Sequence, residues 1–125
     1  MTDDTTPTSD ILERLERAEQ LKLIGEHYAA LEILEQLLIE DPENISALEE
    51  VADNELSLEQ FERAEIAALR TVALDKESYT GHYILGFLRS TTGDWEDAAN
   101  HLRKANASRS NNAEILRCLG WALFN

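Results

Sequence analysis

Small apolar residues recur along the chain at a fixed interval of 34 positions. Between them, larger apolar residues follow the three-to-four-residue spacing of amphipathic helices. A period of this length is typical of a solenoid, in which each unit is a helix pair that can bury its apolar face only against its neighbours. The small residues form two series, one at Ala18, Ala52, Gly86 and Gly120, the other at Ala30, Ala64 and Ala98.

Helix-capping residues divide the chain into seven predicted helices. Capping-box spacing is expected to start the first helix at Asp10 and the fourth after Ser57. N-caps are predicted at Asn44, Ser78 and Asp94, because short polar side chains there precede apolar helical stretches. The predicted helices cover residues 10–24, 27–40, 45–56, 58–74, 79–91, 95–107 and 112–125.

The repeating units resemble tetratricopeptide (TPR) repeats. This resemblance implies an all-α fold, an α-solenoid of antiparallel helix pairs wound into a right-handed superhelix. We expect a disordered acidic and polar tail over residues 1–9 and a TPR domain over residues 10–125. The repeats would span about 11–44, 45–78 and 79–112, with a half repeat over 113–125. The matching residues include Leu85-Gly86, Gly93-Asp94-Trp95 and Ala98 in the third unit, Gly25-Glu26-His27 and Asp41-Pro42 in the first, and Val51-Ala52, Phe61 and Ala64 in the second.

The net charge of −14 is concentrated in one part of the chain. Residues 23–62 hold twelve acidic residues and no Lys or Arg. Such a protein is repelled by nucleic acid and by anionic membranes, and it attracts basic partners. The sequence shows neither a signal peptide nor an apolar membrane span, and its single cysteine, Cys118, suits a reducing compartment. We therefore expect a soluble, cytoplasmic protein.

The resemblance also implies where a partner binds, because the first helix of each TPR pair lines a concave groove. The groove would be acidic towards the N-terminus and aromatic towards the C-terminus, and exposed aromatic residues often mark an interface. The predicted groove residues are Leu15, Glu19, Lys22, Glu49, Glu50, Asp53, Tyr83, Ile84, Phe87, Thr91, Arg117, Trp121 and Phe124.

A well-known TPR subclass holds an acidic chaperone tail with Lys, Asn and Arg side chains. The corresponding positions of this chain lack that basic set, which predicts a basic peptide with an apolar anchor instead. The positions that would carry the basic clamp are occupied by Leu15, Glu19, Glu50, Thr80 and Ile84.

One further prediction concerns Glu55 and Arg89, which lie one repeat apart and are expected to form an ion pair between adjacent helices.

The sequence contains no recognisable set of catalytic residues. The histidines lack metal-ligand spacing, Cys118 has no assigned base, and no glycine-rich phosphate loop occurs. We expect no enzymatic activity, no cofactor and no metal.

The predicted function is that of an adaptor or scaffold. The alternatives are a homo-oligomeric assembly module that dimerises through the C-terminal helix, or a small acidic TPR-type chaperone for an unfolded client; the apolar end at Trp121 and Phe124 equally fits a longer native chain.

Overall fold

The computed structural model describes residues 6–108, which form six helices and no strand. Turns of three or four residues join consecutive helices, so each helix runs antiparallel to the next. The predicted seventh helix and half repeat lie outside the described residues. The helices are α1 (Thr6–Leu23), α2 (His27–Glu40), α3 (Ile45–Ser57), α4 (Phe61–Leu74), α5 (Tyr79–Thr91) and α6 (Trp95–Ser108).

Helix pairs α1/α2, α3/α4 and α5/α6 stack in sequence order and give the solenoid two unlike faces. The backbone of α3 contacts those of both α1 and α5, whereas within residues 6–108 the backbones of α2, α4 and α6 stay apart from one another. Three helices packed side by side opposite three separated ones make a curved layer. We call the side of α1, α3 and α5 the inner face and the side of α2, α4 and α6 the outer face.

The two series of small residues lie where the helices of a pair cross. All of their described alanines are completely buried. Gly86 shows how close the approach is, because a Cβ atom built there would lie 2.6 Å from Leu102 Cγ. A larger residue would force α5 and α6 apart. The described alanines of the two series are Ala18, Ala52, Ala30, Ala64 and Ala98.

The N-caps predicted at Asn44, Ser78 and Asp94 are confirmed. Asn44 Oδ1 accepts a hydrogen bond from the backbone N–H of Ala47 at 2.9 Å, and Ser78 Oγ accepts one from Gly81 at 2.9 Å. Asp94 accepts a longer bond of 3.4 Å at the start of α6. Each side chain satisfies an N–H that has no acceptor inside its helix.

Two predicted helix starts are wrong. Helix α1 begins at Thr6, so residues 6–9 are helical rather than part of a tail, and Asp10 lies inside the helix. Pro7 is compatible with this because the N–H groups of a first turn have no acceptor in the helix. Ser57 is the last residue of α3 and does not cap α4, which begins at Phe61 without a side-chain cap.

The same backbone turn ends α1, α3 and α5. Gly25, Glu59 and Gly93 stand 34 residues apart and have φ angles of 84°, 61° and 82°. In each turn the following N–H bonds back to a carbonyl of the helix, as from Gln60 to Glu55 at 2.9 Å. Glycine adopts this left-handed conformation without strain, whereas a residue with a Cβ does not. The turn at Glu59 is therefore the strained one.

Replacing Glu59 with glycine is expected to stabilise the protein by about 0.5–1 kcal/mol, because relief of strain exceeds the added backbone entropy of the unfolded chain. Urea unfolding followed by circular dichroism measures the change. The control is Glu26→Gly, where φ is −88° and no strain exists to be relieved. A Glu59→Gly variant less stable than the parent protein would contradict this account of the turn.

Candidate functional site

The acidic residues predicted for the groove gather on the inner face around one lysine. Lys22 Nζ lies 2.9 Å from Glu50 Oε1, 2.9 Å from Asp53 Oδ2 and 3.6 Å from Glu19 Oε1. The lysine lies in the last turn of α1 and two of its partners belong to α3, so the cluster joins the inner helices of adjacent repeats. Three carboxylates around one ammonium group leave this part of the face negative.

Burial and pairing act in opposite directions on the charges of this cluster. Burial alone would lower the pKa of Lys22, but its hydrogen bonds to Glu50 and Asp53 outweigh that effect and hold the pKa above its ordinary value. Burial raises the pKa of Glu50, and the attraction of Lys22 offsets this only in part. Lys22 is thus held by internal carboxylates and offers little charge to an acidic ligand.

Glu49 extends the acidic surface from α3 towards α5. Its Oε2 accepts a hydrogen bond of 2.6 Å from the hydroxyl of Ser78, the N-cap of α5. The carboxylate is half-buried and its position is fixed by that bond. Glu49, Glu50 and Asp53 all belong to α3, so this helix carries these three carboxylates.

The predicted aromatic half of the groove is less exposed than expected. Tyr83 and Phe87 are half-buried and pack against the core, and the ring of Tyr83 stacks on Tyr79 with centroids 6.1 Å apart. Ile84 is only 1% exposed, so its assignment to the groove is wrong. The reason is that each helical residue is rotated by about 100° from the one before, which turns Ile84 into the core cluster that includes Ala64 of α4.

Two further predicted groove residues, Leu15 and Thr91, lie in different environments. Leu15 is half-buried against the core cluster around Ala18. Thr91 is exposed, and its hydroxyl donates to the carbonyl of Leu88 at 2.7 Å. Neither therefore presents a free apolar anchor. Three predicted residues lie outside the described part of the chain: Arg117, Trp121 and Phe124.

The predicted ion pair between Glu55 and Arg89 is wrong. Glu55 Oε2 accepts from Arg63 Nε at 3.1 Å, eight residues later in the chain. Arg89 bonds in the same way to Asp97, again eight residues later, at 3.1 Å, and also to Glu65 at 2.8 Å. Each side chain thus pairs with outer-face helices: Glu55 with α4 of its own repeat, and Arg89 with α6 of its own repeat and α4 of the preceding one.

A pair of histidines joins α5 to α6. His82 is buried, and its Nε2 lies 2.7 Å from the carbonyl of Lys76, which can only accept a hydrogen bond. We therefore assign the proton of neutral His82 to Nε2, so that its Nδ1 accepts from His101 Nδ1 at 3.0 Å. These histidines have structural partners, and no cluster suited to a metal ion occurs among the described residues.

Sequence reasoning missed the outer face. Among the described residues, most exposed large apolar side chains lie on α2 and α4 rather than on the inner helices. Isolated exposed apolar residues are ordinary, but several on neighbouring helices form a surface that can bind. On these two helices they are Tyr28, Ile39, Phe61, Ile66, Leu69 and Leu74.

Comparison with known proteins defines the fold. No family model and no curated protein matches the chain. The first TPR domain of Spaghetti (RPAP3) bound to the HSP90 peptide SRMEEVD superposes with a TM-score of 0.81 at 20% identity, over 90% of each chain. The secretion chaperone SycD of Yersinia enterocolitica, in complex with a peptide of the translocator YopD, gives 0.79 at 12% identity, over 93% of this chain and 94% of that one.

An enzyme contains the same architecture as one of its parts. A mutant O-GlcNAc transferase of Thermobaculum terrenum matches with a TM-score of 0.84 at 25% identity, over 98% of this chain but only 23% of the transferase. Together with the six stacked helices, these likenesses show that the protein has the TPR fold, an all-α solenoid. Among residues 6–108, no helix is long and apolar enough to cross a membrane.

The histidine pair predicts a dependence of stability on pH. Burial lowers the pKa of His101 below its ordinary value of 6.5, assisted by His82, Arg89 and Lys104, while Asp97 acts in the opposite direction. The unfolded chain then binds the proton more readily than the folded one. The free energy of unfolding contributed by His101 must fall as the pH drops from above 6.5 towards the lower folded pKa.

Urea titrations between about pH 8 and pH 5 measure this contribution as the difference between the parent protein and His101→Gln. The variant also loses the bond to His82, which lowers its whole curve. Because the variant lacks the titrating imidazole of residue 101, we expect the parent protein to lose stability more steeply on acidification. Parallel curves would show that His101 does not contribute.

Proposed function

We propose that the protein is a non-enzymatic, cytoplasmic adaptor that binds a basic segment of a partner protein along its inner face. The observation that supports this proposal is the excess of carboxylates over basic side chains on the inner face. Within residues 6–108, Glu19, Glu49, Glu50 and Asp53 lie on this face with Lys22, and that base is already paired with carboxylates. A surface of this kind favours cationic ligands and accelerates their association.

The likeness to RPAP3 supports peptide binding but not the same ligand. The peptide in that structure, SRMEEVD, is rich in acidic residues. In this chain, two of the positions expected to hold an acidic tail carry carboxylates, at Glu19 and Glu50. An acidic peptide would meet like charge on this face. A segment with Lys or Arg, and an apolar residue to pack beside half-buried Tyr83 or Phe87, has complementary chemistry.

A second candidate function is a small acidic chaperone for an unfolded client. The fold it shares with SycD, which was solved with a translocator peptide, favours this alternative. The two functions differ in their ligands. A chaperone suppresses aggregation of a long unfolded chain, whereas an adaptor binds a short defined segment and leaves aggregation unchanged. The homo-oligomeric alternative depends on the chain after residue 108 and stays a prediction.

Binding of a fluorescently labelled peptide that contains two lysines and a leucine tests the adaptor proposal. We expect its affinity to fall by about tenfold or more when the salt concentration rises from about 0.05 M to about 0.5 M, because the ions screen exposed charges. The charge-reversing variant Glu19→Lys should weaken binding at low salt, since it places a second cation beside Lys22.

The matched control is Glu96→Lys, which makes the same change of net charge at an exposed position of α6. This control should retain binding within about twofold, because it lies outside the inner face. Equal losses in the two variants would show that only the total charge matters. An affinity independent of salt would contradict electrostatic recognition on the inner face.

A further inference from the structure

A trough lies on the outer face between α2 and α4, where these two helices stand apart. One cavity of about 550 Å³ is lined by residues that include Tyr28 and Gln60, and a second of about 320 Å³ by residues that include Leu38 and Ile66. Glu35, Glu55 and Arg63 line both cavities, which places them at the centre of the trough. From Tyr28 to Leu38 the axis of α2 rises by about 15 Å, the length of four or five residues of extended chain.

The floor of the trough contains a buried carboxylate that is only half paired. Glu55 is 2% exposed, and its Oε2 accepts from Arg63 Nε at 3.1 Å. Its Oε1 is buried and has no hydrogen-bond partner among the described residues. Leaving a charged oxygen buried without a donor is costly, and native proteins rarely do so without a reason.

The next repeat shows what is missing. There, Arg89 occupies the position equivalent to Glu55 and is paired with two carboxylates, on α4 and on α6. Those partners are Glu65 and Asp97, and the residues one repeat earlier are Leu31 and Arg63. Glu55 therefore has one oppositely charged partner, Arg63. The position equivalent to the second partner holds Leu31, which is apolar and lines the same cavity.

We infer that the trough is a second binding site, which takes an extended peptide of a partner protein with one arginine or lysine at its centre. The cationic group of that side chain bonds to Glu55 Oε1 and supplies the second opposite charge that Arg89 has in the next repeat. Arg63 keeps its bond to the other carboxylate oxygen, and its own side chain is largely exposed.

The composition of the trough supports this ligand over a free ion. Three carboxylates, those of Glu32, Glu35 and Glu55, face one arginine at the polar end. The other end is apolar, and its arginine, Arg70, already donates to the carbonyl of Pro42 at 3.1 Å. A peptide with an apolar residue beside the central cation satisfies both ends. The residues that make the second end apolar are Leu38, Leu48, Val51, Ile66 and Ala67.

Nuclear magnetic resonance distinguishes this site from the inner face. The probe is an acetylated, amidated pentapeptide with arginine at its centre and leucine beside it, titrated into the full chain labelled with ¹⁵N. Binding in the trough should shift amides of α2 and α4, including Leu31 and Arg63, in addition to any shifts on the inner face. The same peptide with citrulline, which has the shape of arginine without its charge, should bind at least about tenfold more weakly.

Two variants move the affinity in opposite directions. Glu55→Gln removes the charge and should reduce the affinity for the arginine peptide by about tenfold or more. Arg63→Gln removes the internal competitor for Glu55 and should increase it, although the folded protein becomes less stable. Glu19→Lys lies on the inner face and should leave binding in the trough unchanged, so failure of one site is separable from failure of the other.

Several outcomes would overturn the inference. Shifts confined to α1 and α3 would place the peptide on the inner face, and equal affinity for arginine and citrulline would remove the role of the charge. Unchanged or weaker binding by Arg63→Gln would show that Glu55 is not the acceptor. The shifts measured on the parent protein decide the location even if Glu55→Gln does not fold.

Discussion

Close approach of the two helices in each pair is the constraint on which the rest of this structure depends. The contact between Gly86 and Leu102 leaves no room for another carbon atom, and Ala30, Ala64 and Ala98 are completely buried at the equivalent crossings. The pairs then stack with their inner helices side by side, while within residues 6–108 the outer helices stay apart. Both proposed binding surfaces follow from that difference, since one lies on the packed layer and the other in the gap.

The two surfaces use acidic residues in different ways. On the inner face, Lys22 gathers three carboxylates of two repeats, so the excess negative charge is shared and partly exposed. In the outer trough, a single buried carboxylate, Glu55, has one partner where the next repeat has two. The first arrangement attracts a cation over a distance, whereas the second positions one cationic group at a defined atom.

The fold could be predicted from the sequence because its determinants are local and repeated. The N-caps at Asn44 and Ser78 need only a side chain and an amide three residues away. The start of α4 could not be predicted in this way, because Glu59 adopts a left-handed conformation that glycine takes in the other repeats. A comparison of the three turns, Gly25, Glu59 and Gly93, would have located it.

The site was predicted less completely because it depends on side-chain direction. Alignment with the repeat pattern named Lys22 and its acidic partners only as separate groove residues, without their ion pairs, and it placed Ile84 on the wrong side of its helix. It also paired Glu55 with Arg89, although each bonds eight residues ahead within its own repeat. Buried Asn54 bonds to His27 at 2.8 Å across 27 residues, a contact that no periodic pattern indicates.

A double-mutant cycle at the crossing of α5 and α6 tests the central constraint most directly. Urea unfolding of Gly86→Ala should show a loss of about 1–3 kcal/mol, because the added methyl group collides with Leu102. In a Leu102→Ala background the same change should cost at least about 1 kcal/mol less, since the space has been opened. A stabilising Gly86→Ala variant, as helix propensity alone predicts, or additive losses in the cycle would contradict the account.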